Sequence, residues 1–144
     1  MEIVFICTGN TCRSPMAEGI FRAEGGEEKL GLKASSAGLF AQDGMSATPF
    51  AADAVKELGA DISMHRARQL TTEIVENATY LVCMTAAHYD RLLQTWPQAE
   101  EKTFMLMKRD VSDPFGGDLQ TYRRCAAQLV LGIRELIAGL EQKK

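Results

Sequence analysis

Residues 2–16 read Glu2-Ile3-Val4-Phe5-Ile6-Cys7-Thr8-Gly9-Asn10-Thr11-Cys12-Arg13-Ser14-Pro15-Met16. They hold a strand, a loop and the start of a helix, in that order. Residues 2–6 are a short apolar run rich in Ile, Val and Phe, of strand length and fit for burial on both faces. Ser14-Pro15 places a capping hydroxyl before a proline at the first helical position. Met16, Ile20 and Phe21 then recur on one face until Gly25-Gly26 stops the run. Between strand and helix the chain can curl so that successive backbone N–H groups converge on one point. The helix N-terminus adds partial positive charge there, which makes the loop an anion cradle. Gly9 and Asn10 are the residue types that best tolerate the positive φ such a curl needs.

The same alternation continues outward. Residues 79–84 form a second apolar run, and residues 33–36 and 103–107 are weaker strand candidates. Thr48-Pro49 repeats the helix-start signal, followed by Phe50, Ala54, Val55 and Leu58 and closed by Gly59; another helix is expected from Thr85. The final helix shows a stripe of Tyr122, Cys125, Ala126, Leu129, Ile133, Leu136, Ile137 and Leu140, with Arg123, Arg124, Arg134 and Glu141 opposite. Strands alternating with helices imply an α/β fold: a four-stranded parallel sheet with helices on both faces. Without repeats, linkers or low-complexity tracts, residues 1–144 are expected to form a single domain. In such sheets ligands bind at the carboxyl ends of the strands, where Cys7 stands.

Composition narrows the partners. The chain is 46% hydrophobic and 24% charged, with no apolar run near the ~20 residues of a membrane span, so no membrane association is expected. A net charge of -3, with Lys and Arg scattered, offers no basic field for nucleic acid. The N-terminus lacks a basic region before its apolar stretch, which argues against a secretory signal and for a cytoplasmic protein. There Cys7, Cys12, Cys83 and Cys125 would be thiols rather than structural disulfides. They lack the paired spacing of a zinc site, and the chain carries no nucleotide-binding G-x4-G-K-[ST]; no metal or cofactor is expected.

A thiol at Cys7 would feel convergent N–H dipoles, the helix terminus and the Arg13 guanidinium, all of which favour its negatively charged, nucleophilic form. Arg13 is spaced to fold over the loop and hold two phosphoryl oxygens at once. Ser14 can donate its hydroxyl to the Cys7 sulfur and help it leave from a covalent intermediate.

The string Cys7-Thr-Gly-Asn-Thr-Cys-Arg-Ser-Pro-Met-Ala-Glu18, with Ser36-Ala37-Gly38, His65-Arg66-Ala67-Arg68-Gln69-Leu70-Thr71 and Asp113-Pro114-Phe115, closely resembles the low-molecular-weight protein tyrosine phosphatase family. The resemblance implies a phosphatase in which Cys7 attacks phosphorus and forms a phosphocysteine. The loop amides of Thr8, Gly9, Asn10, Thr11, Cys12 and Arg13, with the Arg13 side chain, would hold the phosphoryl oxygens. Asp113 corresponds to the acid that protonates the leaving group and later takes a proton from water. Its neighbour Pro114 restricts the backbone and so the direction of the carboxylate. Ser36 and His65 correspond to residues that hydrogen-bond the loop asparagine, here Asn10. His88 reads as an exposed helix residue without a role.

Two positions bear on the substrate. Relatives acting on phosphotyrosine usually carry a bulky aliphatic residue where this chain has Thr11, and often a second aromatic where Gly116 follows Phe115. The loop, Ser36-Ala-Gly-Leu-Phe40 and Asp113-Pro-Phe-Gly-Gly117 are instead similar to the bacterial protein-arginine phosphatases of the same fold. Phosphorylated proteins are then the substrates, phosphoarginine first and phosphotyrosine the alternative. Thr11, Phe40 and Phe115 would set specificity, the two rings flanking a guanidinium plane that pairs with Asp113. Cys12, in the same tight loop as Cys7, is a candidate for a reversible disulfide that protects it from over-oxidation. Arsenate reduction is a lesser alternative, since Cys83 ends the third strand but no partner cysteine follows it through Arg91. A monomer is expected.

Overall fold

Along β1 (Glu2–Cys7) the side chains alternate between two buried faces. Ile3, Phe5 and Cys7 belong to one core, Val4 and Ile6 to another, which is why the run reads as continuously apolar. The structure, a computed structural model, describes residues 1–143. After β1 come α1 (Arg13–Ala23), α2 (Gly26–Leu30), β2 (Lys33–Gly38), α3 (Pro49–Lys56), α4 (Thr72–Asn77) and β3 (Tyr80–Cys83). Then follow α5 (Ala86–Thr95), a 3-10 helix (Pro97–Lys102), β4 (Thr103–Met105) and α6 (Leu119–Glu141).

The four strands are parallel and lie in the order β2-β1-β3-β4. β1 pairs with β2 from Glu2↔Lys33 to Cys7↔Gly38 and with β3 from Ile3↔Tyr80 to Ile6↔Cys83. The chain therefore leaves β1 to one side for β2 and returns past it to β3. The loop after β1 opens at the crevice where the strand order reverses. On one face Phe5 meets Phe21 of α1 with ring centroids 5.6 Å apart, and the α6 stripe from Tyr122 to Leu140 is buried against α1 and α3. On the other face Val75 and Ala78, from α4 and its end, and Leu92 of α5 cover Val4, Ile6 and Leu81.

Three details differ from the sequence reading. Helix α1 begins at Arg13, with Cys12 as its flanking residue and no side-chain cap, so Ser14 is inside the first turn instead of capping it. Its hydroxyl is turned back toward the loop, as helix side chains lean toward the N-terminus. Among the loop residues only Asn10 has positive φ, at 58°; Gly9 does not. The two short helices α2 and α4 were not anticipated, because five and six residues carry too little periodicity to read.

Candidate active site

Cys7 ends β1 and belongs to the core by its position on the strand, yet its sulfur lies where the loop begins. It is 3% exposed, and its Sγ is 2.9 Å from Ser14 Oγ. Ser14 Oγ also accepts from Asn10 Nδ2 at 2.8 Å. One buried hydroxyl thus ties the start of the loop, its middle and the first turn of α1. That arrangement leaves the Ser14 proton for the sulfur, as expected from the sequence.

Asn10 is the pivot of the loop. Its Oδ1 accepts from the Arg68 backbone N–H at 3.0 Å, and its carbonyl accepts from His65 Nε2 at 2.7 Å. A carbonyl can only accept, so the His65 proton is on Nε2. With Asn10 fully buried and in the left-handed region, these bonds hold a backbone conformation that few other residues would adopt. His65 therefore meets Asn10 as anticipated. Ser36 does not: its Oγ donates to Glu18 Oε1 at 2.7 Å. Arg68 takes the place expected of Ser36, with its Nε on the Ser36 carbonyl at 2.9 Å and its backbone N–H on Asn10.

The loop sits close against β2. A Cβ at Gly38 would lie 2.5 Å from the Thr8 carbonyl oxygen and 3.1 Å from Asn10 Cβ, so only glycine fits there. The Thr8 carbonyl accepts from Phe40 N at 2.9 Å, and the Thr11 carbonyl from Thr48 N at 3.0 Å.

Arg13 is 6% exposed. Its Nη1 donates to the Val111 carbonyl at 3.0 Å, and its Nη2 lies 3.7 Å from Asp113 Oδ2. The carbonyl fixes the plane of the guanidinium. Asp113 is half open, with 57% of its side chain exposed, and its Oδ1 accepts from Phe115 N at 3.1 Å. Cys7, Thr8, Gly9, Thr11, Cys12, Arg13, Asp113 and Phe115 line one cleft of about 220 Å³. Cys7, the loop and Arg13, contiguous in the chain, are brought to one place with Asp113, which is far from them in sequence. Phe40 is not among the lining residues; it is 62% exposed, and its ring lies under the Arg91 guanidinium, 4.9 Å from the centroid.

Cys12 Sγ lies 3.4 Å from Tyr122 Oη and 3.5 Å from Thr48 Oγ1. Burial, and then the bond to Cys12, push the Tyr122 hydroxyl up to about 12, so it stays protonated. All four cysteines are free. Burial pushes the Cys83 thiol up to about 12 in the core on the far face of the sheet, which holds it in its unreactive, protonated form. Cys125 is raised to about 12 by burial as well. Among the described residues no group of three or more His, Cys, Asp and Glu is placed to hold a metal ion, and no helix is long and apolar enough to cross a membrane.

His88 corrects the sequence reading most sharply. It is 6% exposed rather than open to solvent, and its Nε2 lies 2.9 Å from Thr8 Oγ1. Burial first, then the Arg13 charge, lower its pKa from 6.5 to about 4, against a weaker upward pull from Asp110 and Asp113. The ring is neutral at pH 7. The Thr85 cap that starts α5 was readable, but not that the first turn of α5 would face the loop after β1.

A buried thiol in an amide-lined loop, a planar cation and a carboxyl opposite are the parts of a cysteine-dependent phosphatase. The chain belongs to the low molecular weight phosphotyrosine protein phosphatase family, whose model matches residues 2–144. It is a phosphoprotein phosphatase by that membership. It is 36% identical to a protein-arginine-phosphatase of Geobacillus stearothermophilus, over 99% of this chain and 98% of that one. The fold is similar to a YwlE arginine phosphatase C7S mutant with a phosphorylated active-site serine, at a TM-score of 0.93 and 35% identity, covering 100% and 98% of the two chains. It is also similar to a low molecular weight protein tyrosine phosphatase from T. tengcongensis, at a TM-score of 0.88 and 40% identity, covering 96% and 99%.

Proposed function

We propose that residues 1–144 form one cytoplasmic, monomeric phosphatase domain that hydrolyses phosphoarginine in proteins, with Cys7 as nucleophile, Arg13 as phosphoryl clamp and Asp113 as acid and base. The observation that carries this reading is the single cleft in which Cys7, Arg13 and Asp113 face one another with Thr11, and no aliphatic side chain, on the loop wall. Similarity to protein-arginine-phosphatases over the full chain supports the choice of substrate.

In the first step the Cys7 sulfur attacks phosphorus in line, the P–N bond breaks and Asp113 gives its proton to the departing guanidine nitrogen. The loop amides and Arg13 hold the three phosphoryl oxygens as charge spreads over them. In the second step water attacks the phosphocysteine and Asp113 takes its proton. The S–P bond breaks, and the sulfur leaves as an anion that accepts the Ser14 hydroxyl. Phe115 offers an apolar wall to the guanidinium plane, and Phe40 a second ring once Arg91 moves off it. His65 and Arg68 hold Asn10, and through it the cradle; Ser36 acts at one remove, through its carbonyl on Arg68.

The test compares kcat/KM for phosphoarginine and phosphotyrosine peptides of one sequence, in wild type, Cys7→Ser and Thr11→Ile. Wild type should prefer phosphoarginine and Cys7→Ser should be inactive. Thr11→Ile should shift preference toward phosphotyrosine by about tenfold or more, the scale of one rearranged pocket contact. A wild type that prefers phosphotyrosine overturns the substrate assignment. Turnover by Cys7→Ser overturns the mechanism.

Cys12 lines the same cleft as Cys7, and both are free. Peroxide would oxidise the Cys7 thiol to a sulfenic acid with release of water, and the Cys12 thiol would then condense with it, releasing a second water and forming a disulfide. Intact-mass analysis after peroxide should show the loss of two hydrogens, reversed by dithiothreitol. Irreversible inactivation without that species refutes the switch.

A further inference from the structure

Helix α5 reaches the cleft from a side the proposed chemistry does not use. Its first turn carries His88, nine-tenths buried, with Nε2 2.9 Å from Thr8 Oγ1 and a buried Nδ1 that has no partner. Thr8 is the first residue of the loop after Cys7. It is exposed, and it lines the cleft.

The proton position follows from the surroundings. The charged groups facing the ring are Arg13 from α1 and Asp110 and Asp113 from the segment between β4 and α6. Asp110 already accepts from Ala86 N at the start of α5, at 2.8 Å. The ring also stands in the positive field of the first turn of a ten-residue helix. In that field a lone pair, rather than an N–H, is the less costly group to leave unpaired at Nδ1. The ring proton then sits on Nε2 and is given to Thr8 Oγ1.

We propose that His88 is a positioning residue for phosphoryl transfer: by donating Nε2–H to Thr8 Oγ1 it leaves the Thr8 hydroxyl proton free to be donated to a phosphoryl oxygen in the cleft. This rests on the reading that the cleft holds a phosphoryl group against Cys7. It adds a side-chain donor to the ring of amides, set by a neutral histidine on a different element from the loop. A hydroxyl without this partner would be free to turn its proton away from the substrate.

The test is a double-mutant cycle on kcat/KM with a phosphoarginine peptide, alongside the state of the ring in wild type. Thr8→Val should lower kcat/KM by about 10- to 100-fold, the range for one hydrogen bond to a charged group. His88→Leu should lower it by a similar factor. The double variant should fall no further than the weaker single one, because both remove the same donation. His88→Gln, whose side-chain amide can reach the same oxygen, should remain within about threefold of wild type. Losses that multiply in the double variant, or full activity in His88→Leu, overturn the proposal. Long-range proton–nitrogen correlation at pH 7 reads the wild-type ring directly and does not depend on whether a variant folds; a proton on Nδ1 also overturns it. Cys7→Ser separates the two readings: turnover there defeats the thiol mechanism, whereas failure of the cycle with an inactive Cys7→Ser defeats only the role of His88.

Discussion

Acidification should weaken this protein through His88, and by an amount the structure sets. In the unfolded chain the imidazole takes a proton near pH 6.5; in the folded chain burial and Arg13 hold it off until about 4. Between those values the unfolded state binds more protons, so stability is complete above 6.5 and is lost as pH falls toward and through 4. Linkage gives a loss of about 2 kcal/mol at pH 5 and about 3 kcal/mol at pH 4 relative to pH 7. Carboxylates titrate in the same window, so the informative quantity is a difference between two proteins. Urea unfolding of wild type and His88→Gln at pH 7, 6, 5 and 4.5 should show the gap moving in favour of the variant by about 2 kcal/mol at pH 5. Stability curves that stay parallel to within about 0.5 kcal/mol would mean that His88 protonates freely in the folded protein, and would refute the reasoning.

Other expectations follow from the cleft and its frame. Asp113→Asn should lower kcat by about 100-fold or more for a phosphoarginine peptide, whose leaving nitrogen needs a proton, and much less for an activated aryl phosphate with a good leaving group, which steady-state kinetics on the two substrates will resolve. Asn10→Ala removes two side-chain bonds and puts at φ 58° a residue that tolerates the left-handed region less well than asparagine, and should cost about 3 kcal/mol in urea unfolding. Asn10→Gly should cost less, because the strain is gone. Gly38→Ala pushes on the Thr8 carbonyl and Asn10, and should lower kcat/KM about tenfold or more while the far face of the sheet, read by hydrogen exchange around Leu81 and Leu92, stays protected.

Much of this architecture is legible in the chain because it is local or periodic. Residues 2–6 announce a doubly buried strand, the spacing from Tyr122 to Leu140 announces α6, and Thr48-Pro49 announces α3. Cys7, Arg13 and Ser14 were readable because one short stretch of chain holds them. What failed is what depends on neighbours distant in sequence. Ser14 has the chemistry of a cap, but Asn10 and Cys7 claim its hydroxyl. Ser36 gives its hydroxyl to Glu18, and it is the Arg68 backbone N–H that meets Asn10. The period of α5 places His88 on a helix face, yet only the strand order brings that face to Thr8.

The groups that shape the cradle come almost wholly from later in the chain: Gly38, Thr48, His65, Arg68, His88, Val111 and Tyr122. A ribosome therefore delivers the reactive sulfur first and its framework last. Until translation has passed α5 and entered α6, Cys7 is an unguarded cysteine on an emerging polypeptide, without the surroundings that would let it act on phosphate. The domain becomes competent only once the start of α6 has been made, and a nascent chain stalled before residue 110 would carry the motif without the activity.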